Sequence, residues 1–247
     1  MNLHFIKKYL FLFLSIGFMS TVFVSCGSDK EIPSVCISDK APVLDKPSRK
    51  EGKVLSSVSL GEKLMFLDDK EEEKGKQYLK VRLLDGKEGW IMADYVAVES
   101  RPAVIIEKSD IYSRPDLSTI TKKSFNEMDI IAIISKKDDW IEVAGKRGKA
   151  KGIEKGWIKD KGYSEGTTDI AAAIFINRAL AITKTADRLA ELKSIMENSN
   201  ISGSTFQYIV INEIRSIDPN SYPDEIEGDY EEGNDDVIQD TVTSSNQ

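Results

Sequence analysis

The chain has 247 residues, 30% of them charged, with a formal net charge of −7, a length that suits two small units with tails better than one large core. The charge is concentrated at the ends: Asp218 to Gln247 carries ten acids and no Lys or Arg, while the first 25 residues carry Lys7 and Lys8 and no acid, leaving a body with 32 basic and 31 acidic residues. A near-neutral body excludes the basic footprint that nucleic acid requires.

Lys7 and Lys8 precede an almost unbroken apolar run, Tyr9 to Val24, and Ser25-Cys26-Gly27-Ser28 follows it. A basic start, an apolar stretch and a small residue at the junction form the pattern of a secretory signal peptide. The Cys at that junction makes residues 1–25 resemble a bacterial lipoprotein signal. The resemblance implies cleavage before Cys26, a diacylglycerol on its thiol, and a mature chain held by an N-terminal lipid anchor to a membrane outside the cytoplasm, inner or outer membrane left open. An uncleaved anchor helix calls for ~20 apolar residues, and this run is shorter. Residues 26–40 read as a linker, with Cys36 an unpaired thiol inside it. The one His, His4, lies in the leader, so the mature chain would hold no Ser-His or Cys-His pair and no His-ligated zinc.

A tandem repeat follows. Gly89-Trp90-Ile91 and Gly156-Trp157-Ile158 each close a series of short apolar segments, and the distance from the early Pro to the Trp is 43 residues from Pro47 and 42 from Pro115. In the first copy, residues 41–99, Leu64-Met65-Phe66-Leu67 is a strand, Asp68 to Lys76 a charged hairpin loop, and Tyr78-Leu79-Lys80-Val81-Arg82-Leu83 a strand that alternates polar and apolar residues. That period of two aims Leu79, Val81 and Leu83 at the core and Tyr78, Lys80 and Arg82 outward. Asp85-Gly86 is a tight-turn signal. In the second copy, residues 101–164, Ile130 to Ile134 matches the Leu64 strand, Lys136 to Asp139 forms a polar turn, and Trp140-Ile141-Glu142-Val143 matches Tyr78 to Val81. Gly145 to Lys155 is a basic, Gly-rich loop.

Several short strands with tight turns in each copy predict two tandem small β-barrels. With Trp140-Ile141-Glu142-Val143 and Gly156-Trp157-Ile158 in place, both copies resemble the bacterial SH3-like (SH3b) family. The first copy departs from its pattern with Tyr78 where the family usually has Trp. The resemblance implies non-catalytic modules that bind a cell-wall peptide or glycan, or another envelope protein. In related barrels a shallow aromatic groove takes an extended peptide. Tyr78 and Trp140, outward by alternation, are the first groove candidates; Tyr95 and Tyr163, after Gly-Trp-Ile, are the next. Trp90 and Trp157 are expected to brace the barrels.

Beyond Gly166 the apolar residues recur at helical spacing. Thr168 or Asp169 reads as an N-cap, Gly203 as a break, and Thr205 as the cap of a second helix over Phe206 to Ile217. Two helices over 167–217 are expected to pair as a hairpin and dock on the second barrel. The tail, 218–247, is acidic and poor in apolar residues, a composition that predicts disorder. Nothing in the sequence points to a cofactor, a metal site or a catalytic residue. The expectation is a mainly β envelope lipoprotein with a binding role, or one that acts in assembly through its C-terminal helices with the barrels as spacers.

Overall fold

The computed structural model describes residues 30–148, 150 and 152–221. The expected leader, its Cys26, and the acidic tail beyond Ser221 lie outside the described residues. No helix among those described is long and apolar enough to cross a membrane.

Among the described residues, fourteen strands form two antiparallel seven-stranded sheets, each curled around its own core. The first holds β1 (Ile32–Cys36), β2 (Ala41–Leu44), β3 (Val54–Val58), β4 (Lys63–Glu73), β5 (Lys76–Arg82), β6 (Glu88–Met92) and β7 (Val96–Val98). The second holds β8 (Arg101–Ile105), β9 (Ser109–Tyr112), β10 (Ile120–Phe125), β11 (Ile130–Lys137), β12 (Trp140–Lys146), β13 (Ile153–Lys159) and β14 (Tyr163–Ser164). The strand orders are β3-β2-β6-β5-β4-β1-β7 and β10-β9-β13-β12-β11-β8-β14. Adding seven to each strand number turns the first order into the second, so the sequence repeat is a repeat of topology.

Along β5 and just past it, Leu79, Val81 and Leu83 are buried as the alternation predicts. They join Phe66, Leu64 and Ile91 in the first core, while Ile141 and Val143 join Ile131, Ile133, Phe125 and Ile158 in the second. Asp138 turns the second hairpin with a φ of 52°, as the polar stretch there predicts. Asp68 to Lys76 differs from the expected loop. β4 runs on to Glu73 after an irregularity between Phe66 and Lys70, and only Lys74-Gly75, at φ 51° and 73°, makes the turn. Two consecutive positive φ values match the twist of a two-residue hairpin, so the charged residues decorate a strand extension that stands clear of the core.

The expected linker 26–40 needs correction. Ile32–Cys36 is the first strand of the first sheet, hydrogen-bonded between β4 and β7. Its sequence, Ile32-Pro33-Ser34-Val35-Cys36-Ile37, aligns with Arg101-Pro102-Ala103-Val104-Ile105-Ile106 of β8. Cys36 thus occupies the place of Ile105, and both are 0% exposed in their cores. A free thiol packs there as a small hydrophobe. Burial pushes its pKa up to about 11 against a weaker lowering by the Ser38 backbone, and its Sγ donates to the Ser38 carbonyl at 3.1 Å.

Over the described residues of 167–217 there are three helices, not the two expected: α1 (Thr167–Leu180), α2 (Thr185–Glu197) and α3 (Gln207–Ile217). The chain reverses after Leu180, which lets Leu192 and Ile195 bury against the same core as Ile176 and Ala179; a single long helix would carry them away from it. Gly166 is the N-cap of α1 and offers no side-chain hydrogen bond. Asp169, expected as a cap, sits in the first turn and accepts hydrogen bonds from Ser164 Oγ (2.7 Å), Ser204 Oγ (2.9 Å) and the Thr205 amide (2.8 Å). It ties the end of the second sheet, the start of α1 and the approach to α3 into one knot.

The helices dock on the second barrel, as expected, through Val104 and Ile130, and Leu60 of the first barrel packs against the same cluster. Gly61 shows how tight this joint is. Its φ is +81°, and a Cβ there would lie 2.9 Å from Ile130 Cγ2 and 3.8 Å from Ile174 Cδ1. A further apolar seam of Val35, Ile37, Ala97, Ala132 and Ala144 joins the barrels directly.

Candidate functional site

Directly opposed residues in an antiparallel pair project to the same face, so the register defines the outer face of each barrel. In the first, Val54 opposes Leu44, Leu44 opposes Trp90, Trp90 opposes Lys80, and Tyr78 opposes Met92. In the second, Ile120 opposes Tyr112, Tyr112 opposes Trp157, Trp157 opposes Glu142, and Trp140 opposes Lys159. The two faces are equivalent position by position, and they are finished differently.

On the first barrel the face is sealed. Leu44, Tyr78, Trp90 and Met92 form a buried cluster with Tyr95 packed at its edge. Tyr78 projects outward as alternation requires but is only 1% exposed. The connection from β2 to β3 folds over it: the Arg49 amide donates to the Tyr78 hydroxyl at 3.1 Å. That connection is stiffened by the Lys53 amide donating to Asp45 Oδ1 at 2.7 Å and the Gly52 amide donating to the Ser48 carbonyl at 2.8 Å. The expectation of Tyr78 as an open ring is therefore corrected, because residues remote in sequence supply a cover. Trp90 braces this barrel, as expected.

On the second barrel the equivalent connection bonds to itself. Asp116 Oδ1 accepts from the Ser118 amide at 2.9 Å, and Thr119 Oγ1 donates to the Arg114 carbonyl at 2.9 Å. Tyr112 and Trp157 are left half-buried beside Ile120, which is 54% exposed. Trp140 is also corrected as an open ring: it is 8% exposed. Tyr112 meets it in a T-shaped pair at 4.8 Å between ring centroids and 79° between planes, and Lys159 Nζ lies 3.9 Å from the centre of its ring. A cation on the ring face is held by the ring quadrupole, so Lys159 caps Trp140 where Met92 meets Tyr78 in the first barrel. Glu142 closes the row, its carboxylate accepting from Ser135 Oγ at 2.9 Å.

The four candidate aromatics do not gather in one place. Tyr78 and Tyr95 share the sealed cluster, Trp140 belongs to the second face, and Tyr163 packs half-buried against the second core. Tyr163 donates to Asp160 Oδ1 at 2.6 Å, and burial together with that carboxylate pushes its hydroxyl up to about 12. On the outer face of the second barrel the rings left half-exposed are Tyr112 and Trp157, neither of which the sequence singled out for a groove. The signal was present: Tyr112 directly follows Ile111, a residue of the second core, so alternation turns it outward.

The basic loop after Gly145 is shorter than expected, because β12 and β13 extend into it. Lys146 pairs with Asp39 of the first barrel, and Arg147 Nε lies 3.5 Å from Glu154. The Gly148 amide donates to Asp129 Oδ1 at 2.7 Å, and burial holds that carboxyl above its usual range against this bond and one from the Asn126 amide.

No family model matches the chain, and no curated protein matches its sequence. Among solved structures it is similar to NlpC2 from Trichomonas vaginalis, at 12% identity and a TM-score of 0.24, over 67% of this chain and 56% of that one. It is also similar to an autolysin-type protein from Listeria monocytogenes, at 15% identity and a TM-score of 0.24, over 54% of this chain and 62% of that one. The chain spans less than two thirds of the length of either, and likeness at this level carries no argument about the site.

Proposed function

We propose that the chain is a non-catalytic binding protein of the cell envelope that takes an extended peptide across the outer face of its second barrel. The observation behind this reading is the asymmetry between two equivalent faces: one is roofed over Tyr78, the other leaves Tyr112 and Trp157 half-exposed beside Ile120. A strip of aromatic and aliphatic side chains ending in a carboxylate suits an extended peptide whose side chains alternate between apolar contact and charge. A cell-wall peptide is the ligand in this reading, with an acylated Cys26 holding the protein at the membrane. The assembly reading, through the C-terminal helices, is the weaker one, because Val210 and Ile214 of α3 are already buried against the second barrel's helical core.

The test is co-sedimentation of the full chain, in mild detergent, with purified peptidoglycan, beside a Tyr112→Ala/Trp157→Ala variant whose fold is checked by circular dichroism. Saturable pelleting that the double variant loses, while Tyr78→Phe retains it, is the expected result. Absence of pelleting by the folded wild type, or equal pelleting by the double variant, overturns the reading.

A further inference from the structure

A concavity lies away from the outer faces, between the two barrels. It is an open cleft of about 800 Å³, within the range of small-ligand sites, and both barrels line it. The first barrel contributes Asp39, Asp94 and Tyr95; the second contributes Lys146, Ile153 and Lys155. The charges are thus sorted by wall, acids on one side and amines on the other. Lys146 and Asp39 already bridge the walls as an ion pair. Asp94 and Lys155 are both exposed, and neither has an ion-pair partner among the described residues. Between the charged rims, the half-buried ring of Tyr95 and the side chain of Ile153 supply apolar surface. The cleft is held open rather than improvised, because the apolar seam of Val35, Ile37, Ala97, Ala132 and Ala144 fixes one barrel against the other.

We propose that this cleft binds a short zwitterionic peptide by its two ends, the carboxylate on Lys155 and the ammonium on Asp94, with the peptide body against Tyr95 and Ile153. A wall of one sign facing a wall of the other discriminates between ligands by charge pattern more than it adds raw affinity. A purely anionic or purely cationic peptide meets one matching wall and one repelling wall. A zwitterion of the right length meets two matching walls, and a tripeptide at ~3.3–3.6 Å per residue spans roughly 10 Å. This site is independent of the outer face of the second barrel, and the two stand or fall separately.

Calorimetric titration of the full chain in mild detergent tests the proposal with three peptides of one body: Ala-Ala-Ala, its N-acetyl form and its C-terminal amide. The free tripeptide is expected to bind about fivefold more tightly than either blocked form, the scale of one exposed charge contact. Lys155→Gln should bring the free acid down to the level of the amide, and Asp94→Asn should bring the free amine down to the level of the acetylated form. Both positions are exposed, so both variants keep the fold. Equal binding of the three peptides, no binding of the free tripeptide at millimolar concentration, or indifference to both substitutions overturns the proposal. Loss of tripeptide binding in Tyr112→Ala/Trp157→Ala also overturns it by moving the ligand to the outer face, whereas failure to pellet with peptidoglycan while the tripeptide still binds would overturn the outer-face reading alone.

Discussion

The two barrels pair their strands in one order and bury equivalent residues, yet differ in how each treats the sheet surface that faces away from its core. In the first, apolar Leu44 and Met92 and a folded-over connection turn Tyr78 and Trp90 into a second, smaller core. In the second, Tyr112 and Lys159 stand at the same two positions, and the connection folds on itself. One copy has thereby become a stabilising element, while the other keeps accessible aromatic surface. Of the six equivalent face positions only Trp90 and Trp157 match, and with one differently folded connection these changes leave one face sealed and the other partly open on the same strand order.

The comparison can be broken most forcefully at the cores. Phe66 and Ile133 occupy equivalent positions, opposite Val81 and Val143. Phe66→Ala and Ile133→Ala should each cost about 2–5 kcal/mol. Because Leu60 and Gly61 of the first barrel pack into the joint with Ile130 and α1, both variants should lower one shared calorimetric transition. Two separated transitions would show that the barrels unfold independently. The joint itself is next. Gly61→Val places a β-branched residue at φ +81° with its Cβ 2.9 Å from Ile130, which should cost about 1–3 kcal/mol. Amide exchange should then quicken in β11 and α1 as well as in the first barrel, and protection unchanged in β11 would disprove the coupling. The smallest effect belongs to the cover. Tyr78→Phe removes the acceptor of the Arg49 amide and should cost about 1 kcal/mol, with faster tryptic cleavage after Arg49 and Lys50; an unchanged cleavage rate would mean that the cover does not depend on that bond.

What is legible in the sequence is whatever repeats locally. Alternation in Tyr78 to Leu83 sorts inward from outward residues because a strand's side chains change face at every step, and Leu79, Val81 and Leu83 are buried accordingly. Gly-Trp-Ile marks β6 and β13. The first strand is masked because Pro33, Ser34 and Cys36 interrupt the apolar signal, although Pro102-Ala103-Val104 offers the matching pattern one repeat later. The break after Leu180 is hidden for another reason: Ala181-Ile182-Thr183-Lys184 contains neither Gly nor Pro, and the turn is imposed by the shared core of α1 and α2. The candidate site is legible only by half. Facing direction is a local property, and alternation gives it correctly for Tyr78. Exposure is a tertiary property, decided by where Arg49 and Lys159 come to lie, and no periodicity encodes it.

The pairing of terminal strands carries a mechanical consequence. In the first barrel β1 lies beside β7, with Ser34 opposite Val98, and in the second β8 lies beside β14, with Val104 opposite Ser164. Antiparallel pairing of the first and last strands brings the chain in and out at one corner of each unit. Tension applied along the chain therefore loads each pair end-on, and the rungs open in succession like a zip instead of resisting together in shear. A chain pulled by its two ends would therefore open each unit from the corner where its first and last strands meet.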